Sequence, residues 1–280
     1  MKSLIYTSLA LTAFAGNSVL CRLALGDGQI DAGSFTWIRL LSGIIVLALM
    51  LGTARPTKES TDNGSWCAAT ALFVYAATFS YAYITLDTGV GALILFGTVQ
   101  LTMIVAGVLR GQRLAMLEWL GLGLAFAGLV YLVSPSLNTP SLAGFVLMLA
   151  SGVAWGVYTL AGAGSANPLR ATSFNFFRTS PFAGLIMIVS IASSELTLYG
   201  VMLAMASGGI TSALGYTLWY QALRSLSSIQ AGVVQLLVPV IAAFGGVLFV
   251  GEFVTWPLVI ASLLILGGVC LVLIARSKTV

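Results

Sequence analysis

Ser34-Phe35-Thr36-Trp37-Ile38-Arg39 returns as Ser173-Phe174-Asn175-Phe176-Phe177-Arg178, its arginine 139 positions further along a chain of 280 residues. An echo at close to half the length implies one unit written twice. Other landmarks keep an offset of 139 or 140: Gly16 with Gly156, Tyr81 with Tyr220, Gly111 with Gly251, Gln112 with Glu252, and Gly128 with Gly268. Any one pair carries little weight in a chain with 31 glycines; the shared offset carries more.

Hydrophobic residues make up 59% of the chain and charged residues 7%, with a mean hydropathy of +1.05. An ordinary soluble domain is roughly a quarter charged, so the expected solvent is a lipid bilayer. The net charge of +4 comes from basic residues scattered between apolar runs, with no patch or stripe for nucleic acid. Cys21, Cys67 and Cys270 form neither a disulfide framework nor a CxxC pair. Histidine is absent, which excludes imidazole metal sites and histidine proton relays. There is no Ser/His or Cys/His pair, no glycine loop with lysine and no acidic metal cluster, so neither an enzyme nor a cofactor is expected.

Apolar runs of about 20 residues, enough to cross ~30 Å of hydrocarbon as helix, are expected at 3–24, 33–53, 65–86, 88–109, 115–134, 141–163, 170–193, 198–222, 227–250 and 255–275. The first also has the look of a secretory signal, with Lys2 before it and Ala13-Phe14-Ala15 as a cleavage site. Cleavage would leave nine spans and break the five-plus-five arrangement that the echo demands. The seam is Ser134 to Ser141, SPSLNTPS, with two prolines. It separates a first repeat, 1–137, from a second, 141–280.

With the N-terminus cytosolic, the inner side receives Lys2, Arg55, Lys58, Arg110, Arg113, Arg170, Arg224, Arg276 and Lys278, and the outer side only Arg22. Both termini are then cytosolic. Five spans per repeat force the second copy to enter upside down. The fold expected is therefore an all-α membrane protein of ten transmembrane helices in two inverted five-helix repeats, an arrangement that serves alternating access.

Ten spans in two halves, a Gly111-Gln112 and a Gly251-Glu252 step before each half's last helix, and the run Leu266-Gly267-Gly268-Val269 resemble the EamA-like branch of the drug/metabolite transporter superfamily. The resemblance covers the whole chain. Gln112 stands where the family usually has Glu, which argues against an essential carboxylate there. The resemblance implies an inner-membrane permease, often an exporter of amino acids or other small metabolites, with the route lined by the first four helices of each half.

The residues agree with that division. The fifth and tenth spans are nearly devoid of polar groups and should face lipid or a second copy of the chain. Small residues four apart, Gly121 with Ala125 and Gly123 with Ala127, suit close contact and a homodimer through helices 5 and 10. Other spans carry polar and aromatic stripes at helical spacing: Tyr75, Thr78, Tyr81 and Thr85; Ser151, Trp155, Tyr158 and Thr159; Ser212, Tyr216, Trp219 and Tyr220. Asn17, Gln100, Asn175 and Gln235 add amides at depths where an unpaired polar group is costly. Such stripes ordinarily serve helix packing, but their convergence from both halves points to a polar cavity. The expected binding residues are Asn17, Tyr81, Gln100, Trp155, Tyr158, Asn175, Tyr216, Trp219, Tyr220 and Gln235. Rings suit apolar groups or a cation, and amides suit neutral groups or zwitterions, so the solute expected is an amino-acid-like or amine metabolite.

Arg39 and Arg178 lie about six residues into their spans and can snorkel to the nearer interface. The sharper reading makes Arg39 an outer and Arg178 an inner gate, or either one an anchor for a substrate carboxylate. Pro181 and Pro239 should kink the seventh and ninth spans, making the second half the irregular one. All eight acids fall in loops or near span ends. The related small multidrug exporters rely on a glutamate buried in their first helix, and Asn17 is the nearest polar group here. Exchange or facilitated flux is therefore preferred to proton-coupled multidrug or metabolite efflux. A membrane-embedded sensor or structural protein is the alternative of another class.

Overall fold

The computed structural model describes residues 2–54, 62–109, 111, 114–132, 140–191, 195–226, 231 and 234–277. Helix falls within every expected span. The segments are α1 (Lys2–Leu25), α2 (Ala32–Thr53), α3 (Trp66–Ala82), α4 (Thr88–Leu109), α5 (Met116–Leu132), α6 (Leu142–Gly162), α7 (Pro168–Arg178), α8 (Ser180–Ser190), α9 (Leu198–Leu223), α10 (Leu237–Val250) and α11 (Trp256–Ser277). Five of them, α1, α2, α4, α6 and α9, are long and apolar enough to cross a bilayer, while the other apolar helices are shorter. Leu4, Leu49, Trp119, Phe126, Ile188, Phe244 and Leu263 face outward and exposed, as a lipid-facing surface would have it.

Local chemistry sets the helix starts. The side chains of Asp31, Ser65, Ser141, Asn167 and Thr197 each accept a backbone N–H in the first turn of α2, α3, α6, α7 and α9. Gly111 and Gly251, an echo pair, both take left-handed backbone, with φ of 89° and 78°. Side chains strain there and glycine does not.

The second half is the irregular one, as its prolines predict. The chain turns at Thr179 between α7 and α8, with Pro181 in the first turn of α8, and Pro239 lies in the first turn of α10. Two π-helical stretches add to this, Ser207–Leu214 within α9 and Gly246–Val250 at the end of α10. α2 and α4 run as unbroken α-helix.

Packing pairs the elements crosswise. α3 lies along α6 and α1 along α9; α4 meets α6 and α1 meets α10; α2 meets α7 and α8. α5 and α11 pack on each other and reach the rest chiefly through α4. In that contact a Cβ on Gly121 would lie 2.5 Å from the Gly268 carbonyl oxygen, and one on Gly128 2.7 Å from Ile265 Cγ1. The Gly121 and Ala125 face is thus used within the chain, whereas Gly123 and Ala127 remain exposed.

Several sequence features lie outside the described residues: Gln112, most of the seam, and the basic residues Arg55, Lys58, Arg110, Arg113 and Lys278. The side chains of Lys2 and Arg276 lie outside them too.

Candidate functional site

At the centre of the helix packing sits Arg39, 1% exposed. This corrects the expectation that it snorkels to the nearer interface. Its Nε donates to Ser212 Oγ (3.1 Å), and its Nη2 to the hydroxyls of Tyr75 (3.1 Å) and Tyr216 (2.8 Å). The guanidinium carbon lies 5.2 Å from the Tyr75 ring centroid and 5.1 Å from that of Phe79. Among the described residues its titratable neighbours are Tyr75, Tyr216 and Cys21, none of them a carboxylate.

Close backbone approach explains how α9 reaches this arginine. A Cβ on Gly208 would stand 1.9 Å from the Arg39 carbonyl oxygen and 2.1 Å from Ser42 Oγ, so only glycine lets the π-helical stretch lie against α2. Such stretches shift which side chains face inward and are frequent at functional sites. Here Ser207 and Thr211 donate to Asn17 Oδ1 (2.5 and 3.1 Å), and Asn17 Nδ2 donates to the Tyr75 hydroxyl (3.1 Å). One polar network therefore joins α1, α2, α3 and α9.

Aromatic rings enclose it. Trp155 lies 4.6 Å from Tyr216 and 4.8 Å from Tyr75 between centroids; Phe14 lies 5.5 Å from Trp155 and 5.6 Å from Trp219. Tyr158 stacks on Tyr220 at 5.4 Å, and the Tyr220 hydroxyl donates to the Tyr158 carbonyl. The structure thus brings Asn17, Trp155, Tyr158, Tyr216, Trp219 and Tyr220 into one cluster, all buried.

Of the other expected residues, Asn175 borders the cluster through Tyr158, while Tyr81 and Gln235 lie away from it. Tyr81 is 41% exposed and lines a cavity of about 380 Å³ beside Asp31, Ser190 and Glu195 at the turn between α1 and α2. The stripe Tyr75, Thr78, Tyr81, Thr85 therefore gives way to Tyr75, Phe79 and Tyr83, spaced by four and all buried. Asn175 is buried beside Tyr158, and its Oδ1 accepts the Ser65 N–H (3.0 Å), tying α7 to the start of α3. Gln235 Nε2 donates to Ala231 O in its own segment, and the adjacent Leu236 packs with Ala125 and Val269 on the α5–α11 side. Gln100 is buried in α4. Arg178 is half-buried at its helix end, donating to the carbonyls of Asn63 and Phe174.

Both ends of α2 are closed by loop contacts. At its start, Ile30 and Leu196 form an antiparallel bridge, and Thr197 N donates to Gln29 O (3.1 Å). Toward the opposite end, Ser165 Oγ donates to Asp62 Oδ2 (2.6 Å) and Arg170 Nε to Asn63 Oδ1 (2.8 Å).

A second charged cluster went unread in the sequence. Arg22 Nε donates to Glu252 Oε1 (3.3 Å) and its Nη2 to Asp87 Oδ1 (3.4 Å). Glu252 also accepts the Thr88 N–H (2.9 Å) and hydroxyl (3.0 Å), a carboxylate at the N-terminus of α4 where the helix dipole favours it. The signal was present: Arg22 is the one basic residue assigned to the outer side, and the same assignment puts Asp87 and Glu252 in loops on that side. A further, apolar cavity of about 600 Å³ lies between α10 and α11, lined by Val240, Phe244, Leu258 and Leu263. Neither cavity includes Arg39 in its lining.

The model of the EamA-like transporter family matches residues 142–274. An uncharacterized protein of Pseudomonas aeruginosa is 48% identical over 98% of this chain and 96% of its own. A protein of Streptantibioticus cattleyicolor named a probable terminal-alkyne amino-acid exporter is 22% identical over 95% of this chain and 92% of its own. A solved crystal structure superposes with a TM-score of 0.63 at 20% identity, over 96% of this chain and 99% of that one, a likeness of fold.

Proposed function

From the premise that this chain belongs to the EamA-like transporter family, within the drug/metabolite transporter superfamily, we propose that it exports a small metabolite by alternating access between two inverted five-helix repeats. It is a multi-pass membrane protein. Ten crossings, residence in the inner membrane and cytosolic termini complete the proposal. The halves are 1–137 and 141–280.

The observation that carries the reading is the buried network of Asn17, Arg39, Tyr75, Ser212 and Tyr216, which spans both halves at the centre of the helix packing. A membrane protein that only had to hold together would have little use for a guanidinium there, because a charge at that depth is expensive and marks solute or ion pathways. The crosswise pairing supports the repeat. If the first five spans are exchanged for the last five, the contact of α3 with α6 becomes that of α9 with α1, and α4 with α6 becomes α10 with α1. The two loop closures exchange in the same way.

Asn17, Trp155, Tyr158, Tyr216, Trp219 and Tyr220 form the proposed solute site, with Arg39 within it rather than at a gate. The cargo is amino-acid-like or an amine, and the relative named as an amino-acid exporter favours the former. Coupling by exchange or facilitated flux is favoured over proton antiport, since no carboxylate joins the network among the described residues. A homodimer through the fifth and tenth spans would use the faces left open, Gly123 and Ala127 on α5 and Leu263 and Gly267 on α11, because Gly121 and Ala125 are engaged within the chain.

The test is purified protein in liposomes, challenged with labelled amino acids and amines with and without a pH gradient. Saturable solute movement that is insensitive to the pH gradient is expected. Absence of movement across the panel would leave the sensor reading in its place.

A further inference from the structure

Taking the transport reading as its basis, we infer that Arg39 is the seat of a carboxylate and that the cargo is an organic acid or a zwitterion, not a bare amine. A guanidinium has five N–H donors in a planar fork. In Arg39, Nε and Nη2 are bonded to Ser212, Tyr75 and Tyr216, all neutral hydroxyls. Nη1 has no partner although it is fully enclosed. The indole Nε1 atoms of Trp155 and Trp219, in the same ring cluster, are likewise buried without an acceptor. Donors are in surplus at the centre and negative charge is missing. A carboxylate supplies both what Nη1 lacks and the counter-charge for the guanidinium.

The same geometry disfavours a bare amine. The ring faces of Tyr75 and Phe79, which would otherwise attract a substrate cation, already hold the cation of Arg39 at 5.2 and 5.1 Å. A bare ammonium group entering the cluster meets a like charge in a poorly screened interior, with no carboxylate among the described residues to offset it. A zwitterion avoids the penalty by seating its carboxylate on Nη1 with its ammonium turned away. Loading then neutralises the centre, which gives the filled carrier an electrostatic advantage over the unfilled one and fits the exchange mode of coupling.

The experiment uses purified full-length protein in lipid nanodiscs. Binding is read by tryptophan fluorescence and by the shift in thermal unfolding with two matched series at millimolar concentration: L-phenylalanine, 3-phenylpropionate and phenethylamine; L-leucine, 4-methylpentanoate and isopentylamine. Acids or zwitterions of at least one series should bind and neither amine should. Arg39→Lys should weaken binding about tenfold or more, since it keeps the charge and loses the fork, and Arg39→Gln should abolish it. Ser212→Asp places a carboxylate beside the guanidinium from within; it should raise the unfolding temperature and block the acids, which also guards against misreading an Arg39 variant that fails to fold. Amines binding as well as acids, undiminished acid binding by Arg39→Gln, or no carboxylate binding in either series would overturn the inference. Acid binding without flux in liposomes would keep the site and remove the transporter reading. Flux of amines alone would keep transport and remove the site.

Discussion

At the scale of single residues, the polar groups divide into those that hold the centre and those that clasp an end. Asn17 belongs to the first kind: its carboxamide satisfies the hydroxyls of Ser207, Thr211 and Tyr75 at once. Asn17→Ala strands the Ser207 hydroxyl, while Thr211 keeps the Ser207 carbonyl and Tyr75 keeps Arg39 and Tyr216; it should lower stability by about 1 kcal/mol, allowing for the modest worth of hydrogen bonds in membranes. Unfolding in mixed micelles measures it; a change near zero would mean the Ser207 hydroxyl finds another partner. Glu252 belongs to the second kind. Glu252→Gln gives up both the pairing with Arg22 and the favourable charge at the start of α4, a loss of about 1 kcal/mol. Asp87→Asn should matter much less, because the Asp87 side chain is 57% exposed and Glu252 only 13%. Equal effects from the two would assign Glu252 no capping role.

At the scale of elements, the decisive contact is that of α2 with the π-helical stretch of α9. Gly208→Ala forces a Cβ against backbone at 1.9 Å, where no side chain can yield, and should destabilise by about 3 kcal/mol, the upper end for overpacking. Gly209→Ala meets only Val46 Cγ2 at 3.0 Å and should be mild, and Gly123→Ala, in open space, should be neutral. The same unfolding assay ranks the three, and equal losses for Gly208 and Gly123 would refute the contact. This element also shows how far the sequence was legible. The stripe of Ser212, Tyr216, Trp219 and Tyr220 could be read from spacing alone because large rings at steps of three and four have one side on which to pack. The stripe on α3 misled because a membrane threonine need not point at anything: Thr78 Oγ1 donates to Val74 O in its own helix, so its polarity carries no directional information. The full burial of Arg39 was illegible for a related reason. Its depth in the span was visible, but the glycine that lets α9 press against it lies 169 positions away in another half of the chain.

At the scale of the whole molecule, alternating access requires that the two loop closures open by turns, and their contacts make this testable one end at a time. Ile30 and Leu196 face each other between the bonds Asp31 N to Glu195 O and Thr197 N to Gln29 O. A non-hydrogen-bonded antiparallel pair of this kind has Cα atoms about 4.5 Å apart, within disulfide reach. Asp62 and Ser165, whose side chains meet at 2.6 Å, are the corresponding pair at the other end. In a background where Cys21, Cys67 and Cys270 are replaced, cysteines at 30 and 196 should form a disulfide on mild oxidation, and those at 62 and 165 should be joined by a short bismaleimide. If the two halves rock about the Arg39 centre, either link alone holds one door shut. Solute flux in liposomes should then fall to background with either link in place, while binding at the centre persists from the end left free. A reducing agent should restore flux through the first pair, since it cuts the disulfide and leaves the fold intact. Normal flux with either link fully formed would mean that this end never has to open, and the rocking of inverted halves would give way to a path that enters and leaves from one face.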